Sequence, residues 1–444
     1  MPTPTVNPEL QKDFAIQAVE LLRAAGFEAY WAGGCVRDLL LGGLPKDYDV
    51  ATAATPKQVR KVFRDFHTLG VGAAFGVIIV VGPQGAGQLD VATFRADDTY
   101  SDGRRPDSVT FSTAQEDVQR RDFTINGLLF DPIEQRVIDY VGGQLDLESQ
   151  IIRAIGEPVV RLAEDKLRML RAVRFAARLG FLIDRQTRSA IEEMVAEISV
   201  VSAERITEEL RSMLAHPTRA TAISLCREIG LSLHILPEAE DAHRRSDGSA
   251  SDAAWDYTLR QMDALEAPSL PLTLAVLLRN YAAGVKQRER SNRLMEFGRR
   301  MRISTDDAQR LDWLVRHGRG LWGARKRPWS QVQRMLIGNG IRELIAMHQA
   351  ELAVIAEDHP TDEDRLANWR ADLDFCSQRL DGPKEQLDPA PLITGDDLIA
   401  AGVPRGKHYQ RILTVVRDAQ LDGKIDTPEE GLQHALVSWR SLKG

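Results

Sequence analysis

Cysteine is scarce. Cys35, Cys226 and Cys376 are the only three in 444 residues, and no two form a CxxC pair. A disulfide-stapled secreted scaffold and a structural zinc cluster are both excluded. No stretch approaches the roughly 18 apolar residues that a membrane-spanning helix needs, so no membrane partner is expected. The opening MPTPTVNPELQKDF has neither a basic start nor an apolar run. The expectation is a cytoplasmic protein without a signal peptide. Positive charge is not in excess either: 57 Lys and Arg against 64 Asp and Glu leave a formal net charge of -7. That excludes a histone-like protein but leaves room for a local nucleic-acid site.

What is present suits a globular chain, with 43% apolar and 27% charged residues. At roughly 150 residues per domain the length implies two to four domains. The first third mixes periods. Residues 8–25 read as an amphipathic helix, FEAYWA (27–32) as a strand, and Gly33-Gly34 as a turn into a helix over 35–41. DYDVAT (47–52) reads as a second strand, Thr55-Pro56 as a helix start, GVIIVV and QLDVATF as a hairpin, and VIDYV as a further strand. From about residue 158 the pattern turns helical. RLAEDKLRMLRAVRFAARLGF is its clearest segment, with Gly180 as the stop. Polar stretches at 243–253 and 381–391 read as loops. The expected architecture is an α/β head (1–150), a helical neck (151–215), a helical body (216–380) and a helical tail (391–444).

Between Arg279 and Arg334 there are 15 Lys and Arg against 5 Asp and Glu. This is either a solvated helical face or a phosphate-backbone footprint. Trp313, Trp322 and Trp329 within it read as core.

The chemistry concentrates in Gly33-Gly34-Cys35-Val36-Arg37-Asp38 followed by Asp47-Tyr48-Asp49. A diglycine at a helix start lets backbone N–H groups approach an anion, and Arg37 adds a charge-assisted contact to phosphate. On a strand, Asp47 and Asp49 point to one face and repel each other unless a cation sits between them. Oxygen ligands beside a phosphate substrate favour Mg²⁺. Further along, Asp165 and Arg168 are spaced to share a helical face. A carboxylate accepts from the amino groups of cytosine and adenine, and Arg donates to their ring nitrogens, so the pair accepts C and A and rejects U and G. Cys35 has no histidine partner and reads as small-residue packing. GVGAAFG (70–76) imitates a dinucleotide fingerprint but leads into a strand, so no nicotinamide site is expected.

The stretch WAGGCVRDLLLGGLPKDYDVATAATP resembles the class II tRNA nucleotidyltransferases and bacterial poly(A) polymerases, of polymerase-beta type. VATFRADDTYSDGRRPDSVTF, RRDFTINGLLFDP, EDKLRMLRAVRFAARLGF and ERITEEL continue the resemblance in order. It implies a small mixed-sheet head with helices and addition of CMP and AMP from CTP and ATP to the 3′ end of tRNA, with Mg²⁺ as cofactor. Asp47 and Asp49 would hold the metal. Asp90 is a candidate third catalytic carboxylate, the alternative being an edge-strand surface residue. Gly33, Gly34 and Arg37 would meet the triphosphate with help from Arg120 and Arg121. Asp122 and Asn126 would lie near the ribose, and Asp165 and Arg168 at the base. Asp38 would hold Arg37 or the turn in place. The loop Arg95–Asp107, with Asp97, Asp98, Arg104 and Arg105, would reshape the site between C and A. ERITEEL (204–210) would buttress the base-selecting helix.

Many such proteins carry a metal-binding His-Asp module after the neck. LPLTLAVLLRNYAAG (270–284) resembles its helix, but Arg279-Asn280 stands in place of His-Asp, so phosphohydrolase activity is not expected. In the tail, Arg405, Lys407 and Arg411 either meet tRNA or belong to a purely stabilising segment. The alternatives in function are CC-only or A-only addition, poly(A) synthesis, and a catalytically dead RNA-binding scaffold. No protein partner is expected.

Overall fold

The computed structural model describes residues 6–70, 76–97, 109–244 and 251–442. Most of the expected mobile loop, with Asp98, Arg104 and Arg105, lies outside the described residues, as do positions 71–75 of GVGAAFG and 245–250 of the 243–253 stretch. The chain divides into two compact units, 1–237 and 238–444.

The first unit opens with α1 (Pro8–Ala24), whose first N–H groups are accepted by the Asn7 side chain and whose Phe14, Ala18, Val19 and Leu22 are buried. There follow β1 (Ala29–Ala32), α2 (Gly34–Leu40), β2 (Asp49–Thr52), α3 (Pro56–Val62), β3 (His67–Leu69), β4 (Val77–Val81), β5 (Gln88–Thr93), β6 (Arg95–Asp97), β7 (Val109–Phe111), α4 (Ala114–Gln119), β8 (Leu128–Asp131) and β9 (Arg136–Asp139). Seven strands form one sheet in the order β3-β4-β5-β2-β1-β8-β9. Only β2 and β5 run parallel; the other neighbours are antiparallel. Along β5, Leu89, Val91 and Thr93 are buried while Gln88 and Asp90 are exposed. This alternation keeps Asp90 off the core face.

After α5 (Gly143–Glu148) and β10 (Ile151–Ile152) come α6 (Pro158–Glu164), α7 (Arg168–Leu179), β11 (Leu182–Ile183), α8 (Arg185–Met194), α9 (Ala203–Leu214) and α10 (Arg219–Ile229). Gly180 ends α7 in the left-handed region at φ 70°, the terminator expected of it.

The second unit is helical. Its helix Leu270–Leu277 is buried at every position. Arg279, just beyond, forms an ion pair of 2.7 Å with Glu351, and the two side chains are 12% and 10% exposed. Trp322 Nε1 also donates to Glu351, at 3.1 Å. Arg279 thus serves an internal ion pair. A separate core gathers Ile393, Leu398, Val403, Ile412, Val416 and Ala435. Among the described residues no helix is long and apolar enough to cross a membrane.

Removing one member of a buried pair strands the other, a loss of about 3–5 kcal/mol. Arg279→Ala should lower the urea-derived unfolding free energy by that order, and Arg279→Lys by less. An Arg279→Ala protein as stable as wild type would show that the pair is not buried in solution.

Candidate active site

Gly33 caps α2 with φ 74°, a conformation that favours glycine. A Cβ there would stand 2.9 Å from Arg121 Nη1, so the missing side chain lets the guanidinium cross the turn. Arg37, 5% exposed, donates from Nη1 to Asn126 Oδ1 at 2.7 Å and from Nη2 to Asp38 Oδ1 at 2.6 Å. Of the two roles expected of Asp38, the contact is the one with Arg37.

The polar chain continues inward. Asn126 Nδ2 donates to Asp122 Oδ1 at 3.1 Å, Arg171 Nη2 pairs with Asp122 Oδ2 at 2.6 Å, and Arg174 Nε with Glu209 Oε2 at 2.6 Å. The guanidiniums of Arg37, Arg171 and Arg174 lie 5.2, 5.3 and 4.4 Å from the centre of the Phe175 ring, a cation–π seat that fixes all three. Burial raises the Asp122 carboxyl, but Arg171 and the hydrogen bonds it accepts outweigh that and hold it below the usual range. Asp117, 2% exposed, accepts from both Arg120 (2.7 Å) and Arg121 (3.0 Å) and so aims the two together.

The base-selecting pair departs from expectation. Asp165 and Arg168 do not share a helix. α6 ends at Glu164, and Asp165 adopts an extended conformation, φ -147° and ψ 103°. The reason is local: the Asp165 carboxylate accepts the Leu167 N–H at 3.1 Å and its carbonyl accepts the Arg168 N–H at 3.0 Å, which starts a new helix rather than continuing the old one. Arg205 of α9 grips Asp165 with two hydrogen bonds, 3.1 and 2.7 Å. Arg168 pairs with Glu164 at 2.5 Å. The two side chains nevertheless line the same cleft.

That cleft has a volume of about 450 Å³. It brings together Gly33, Gly34, Arg37, Asp49, Arg120, Arg121, Asp122, Asn126, Asp165 and Arg168. Asp47 and Asp90 do not line it. Asp47 sits in the bend before β2, which starts only at Asp49, so the alternation argument for Asp47 and Asp49 on one strand face is corrected. The strand partner of Asp49 is Asp90, directly opposite in the parallel register. Burial first, then the charges of Asp90 and Asp47, push the Asp49 carboxyl up to about 6 against the pull of Arg121. Burial and Asp47 raise Asp90 as well. Asp47 is therefore felt by both. Cys35 is buried and its thiol is raised by burial to about 11, consistent with packing.

Among the described residues no three potential ligands form a ready-made metal cage. The donors present are carboxylate oxygens that repel one another, the chemistry a hard divalent cation relieves. Asp49 and Asp90 fit that group, with Asp47 at the edge.

Arg171, Arg174, Phe175 and Arg178 also line the cleft and were not singled out from the sequence. Their three- and four-residue spacing from Arg168 was the available signal. In the second unit about half of the basic stretch is matched by ion pairs, among them Arg310–Glu343 (2.7 Å), Arg325–Asp372 (3.1 Å) and Arg300–Glu238 (2.5 Å). Trp322 stacks on Trp369 with centroids 4.5 Å apart, and Trp313, Trp322 and Trp329 are half-buried rather than fully in the core expected of them.

A family model described as "Poly A polymerase head domain" matches residues 29–153, and one described as "Probable RNA and SrmB-binding site of polymerase A" matches 180–242. A CCA-adding enzyme from Geobacillus sp. (strain WCH70) is 31% identical across 97% of this chain and 98% of its own. The chain belongs to the CCA-adding enzyme family. The CCA-adding enzyme of Geobacillus thermodenitrificans (strain NG80-2) is 43% identical over 53% of this chain and 57% of its own. The crystal structure of the Bacillus stearothermophilus CCA-adding enzyme in complex with CTP matches with a TM-score of 0.71 and 26% identity, covering 98% of each chain. The Thermotoga maritima CCA-adding enzyme complexed with tRNA shares the fold, with a TM-score of 0.65 and 20% identity over 98% of this chain and 96% of that one. The mixed-sheet head with a helical remainder is thus the CCA-adding fold, and the chain is a nucleotidyltransferase of a family that uses a divalent metal.

The acidic couple has a cost in stability with a definite sign. Between the ordinary value of 3.8 and about 6 the folded Asp49 holds protons that the unfolded chain has released, so stability falls as pH rises through that window and stays lower above it. In chelator-treated protein at about pH 7.5, Asp49→Asn should melt above wild type, and the gap should close below about pH 4. Thermal melts at the two pH values check this; a constant gap would remove the charge repulsion from the account.

Proposed function

We propose that this chain adds CMP and AMP, from CTP and ATP, to the 3′ end of tRNA, building or repairing the CCA terminus without a template. The observation that carries the reading is the convergence of ten widely separated residues on the cleft beside the Asp49–Asp90 pair. In this reading the cleft seats the nucleoside triphosphate with its base at Asp165 and Arg168, its ribose at Asp122 and Asn126, and its phosphates at Gly33, Gly34, Arg37, Arg120 and Arg121. The terminal 3′ oxygen bonds to the α-phosphorus, the bond from that phosphorus to the bridging oxygen breaks, and pyrophosphate leaves.

Asp49 and Asp90, with Asp47 beside them, would hold Mg²⁺, which would polarise the phosphate and lower the hydroxyl pKa. Asp90 receives the hydroxyl proton. The preformed arginine–carboxylate contacts keep the donors oriented before substrate arrives, so little reorganisation remains for the reaction. Asp165, fixed by Arg205, accepts from the amino group of C or A. Uracil and guanine present a carbonyl there and leave the carboxylate unpaired. Residues 1–150 serve as the catalytic head, 151–215 as the base-selecting neck, 216–380 as the RNA-binding body and 391–444 as the tail, and the enzyme works in the cytoplasm.

Primer extension tests the reading. With tRNA lacking CCA, CTP and ATP together should give a three-nucleotide product, CTP alone should stop at two, and ATP should extend only tRNA ending in CC. Long adenosine tails on generic RNA would instead mark a poly(A) polymerase, and addition of only CC or only A a partial enzyme. Asp165→Ala should relax selection against UTP and GTP by about 10- to 100-fold, the worth of one paired base contact. Unaltered selectivity, measured by competition between nucleotides, would place base choice elsewhere.

A further inference from the structure

Asn126 reaches the cleft from a short 3₁₀ turn, Thr124–Asn126. Its neighbours orient its amide. Arg37 can only donate and takes Oδ1 at 2.7 Å, while the Asp122 carboxylate accepts from Nδ2 at 3.1 Å. Those two bonds leave the amide one N–H and one lone pair. A hydroxyl both donates and accepts, so the remaining pair of groups matches the 2′-hydroxyl of a ribose, which a deoxyribose lacks.

So short a turn has little stability of its own, and its position is set from behind. Thr124 Oγ1 donates to Asp146 Oδ2 at 2.6 Å, and the Thr124 N–H donates to the Arg153 carbonyl at 2.9 Å. Asp146, on α5, is 5% exposed. Arg153 Nε pairs with it at 3.1 Å and, through Nη1, with Asp184 at 2.6 Å. Asp184 in turn accepts the N–H groups of Gln186 and Thr187 at the start of α8. The buried carboxylate is therefore both compensated and immobile. Gly143, at the start of α5, closes the clamp, since a Cβ there would overlap the Thr124 carbonyl oxygen. Thr124, Gly143, Asp146 and Arg153 all stand outside the lining of the cleft.

We propose that Asp146 is a positioning residue for nucleotide choice: by holding the Thr124 hydroxyl it fixes the turn that presents Asn126, and so sets the preference for ribonucleoside over deoxyribonucleoside triphosphates. The proposal rests on the ribose seat of the function above and names what holds it. Hydrogen bonds weaken steeply once their angle and distance are spoiled, so a loosened turn loses the contact to the 2′-hydroxyl first. The groups assigned to the base and the phosphates sit on other elements, and Arg37 keeps its ion pair with Asp38. The loss therefore falls on the ribose.

The test is kcat/KM for CTP and for dCTP in the first addition to tRNA lacking CCA, measured on the full chain. The ratio of the two values cancels the fraction of protein that is folded, so a merely structural loss leaves it unmoved. Thr124→Val, which removes the hydroxyl and keeps the branched shape, should narrow the preference for CTP about tenfold, the scale of one hydrogen bond. Asp146→Ala should narrow it at least as much. Thr124→Ser, which keeps the hydroxyl, and Asp146→Asn, which keeps an oxygen to accept from it, should retain most of the preference. Asn126→Ala sets the full loss against which these are read. An unchanged ratio in Thr124→Val and Asp146→Ala, beside a narrowed one in Asn126→Ala, would overturn the proposal and leave the ribose seat standing. An Asn126→Ala protein as selective as wild type would overturn the ribose seat itself, and the proposal with it.

Discussion

Two carboxylates held abreast on neighbouring parallel strands repel each other, and the cleft is organised around that repulsion. The register that sets Asp49 opposite Asp90 is fixed by backbone hydrogen bonds between β2 and β5, so the side chains cannot drift apart without breaking the sheet. Burial and mutual charge push Asp49 up to about 6. A site built this way is unstable by itself and gains from a cation. This is the usual compromise between a stable fold and a reactive centre.

The basic side of the cleft solves the opposite problem. Many guanidiniums in one small volume would repel one another and wander. Arg37, Arg120, Arg121, Arg168, Arg171 and Arg174 are instead each held by a carboxylate behind them, and Phe175 supplies a common flat surface for three of them. The alternation from Asp38 through Arg37, Asn126, Asp122 and Arg171 to Glu209 links α2, the segment after α4, α7 and α9 into one polar network. Such networks act as units, so single substitutions within them are expected to be non-additive.

Much of the site is legible in the sequence because its chemistry is local. The diglycine, Arg37 and the acidic strand lie within seventeen residues, and Gly33 must be glycine for a reason visible in its neighbours: positive φ and the approach of Arg121. The hairpin of β4 and β5 follows from alternation around a glycine-rich turn. What the sequence conceals is partner choice across distance. Arg37 meets Asn126 at a separation of 89 residues and Arg205 meets Asp165 at 40, and no spacing rule reports such pairs. The break at Asp165 was hidden for another reason. The apolar period continues across it, whereas the aspartate's own hydrogen bonds to the backbone decide the local geometry. Arg171, Arg174 and Arg178 were present in the helical spacing, but a repeated arginine on a helix is more often a solvated face than a cleft wall.

The central claim is that Asp49 and Asp90 form a cation-dependent couple that drives transfer to RNA. The most direct measurement is calorimetric titration of Mn²⁺ into wild type, Asp49→Ala and Asp90→Ala, with single-turnover CMP addition followed on the same samples. The account predicts that Asp49→Ala loses measurable cation binding and slows transfer by about a thousandfold, the scale of several kcal/mol of lost charge stabilisation. Full-rate transfer in Asp49→Ala, or undiminished cation affinity in both variants, would contradict it.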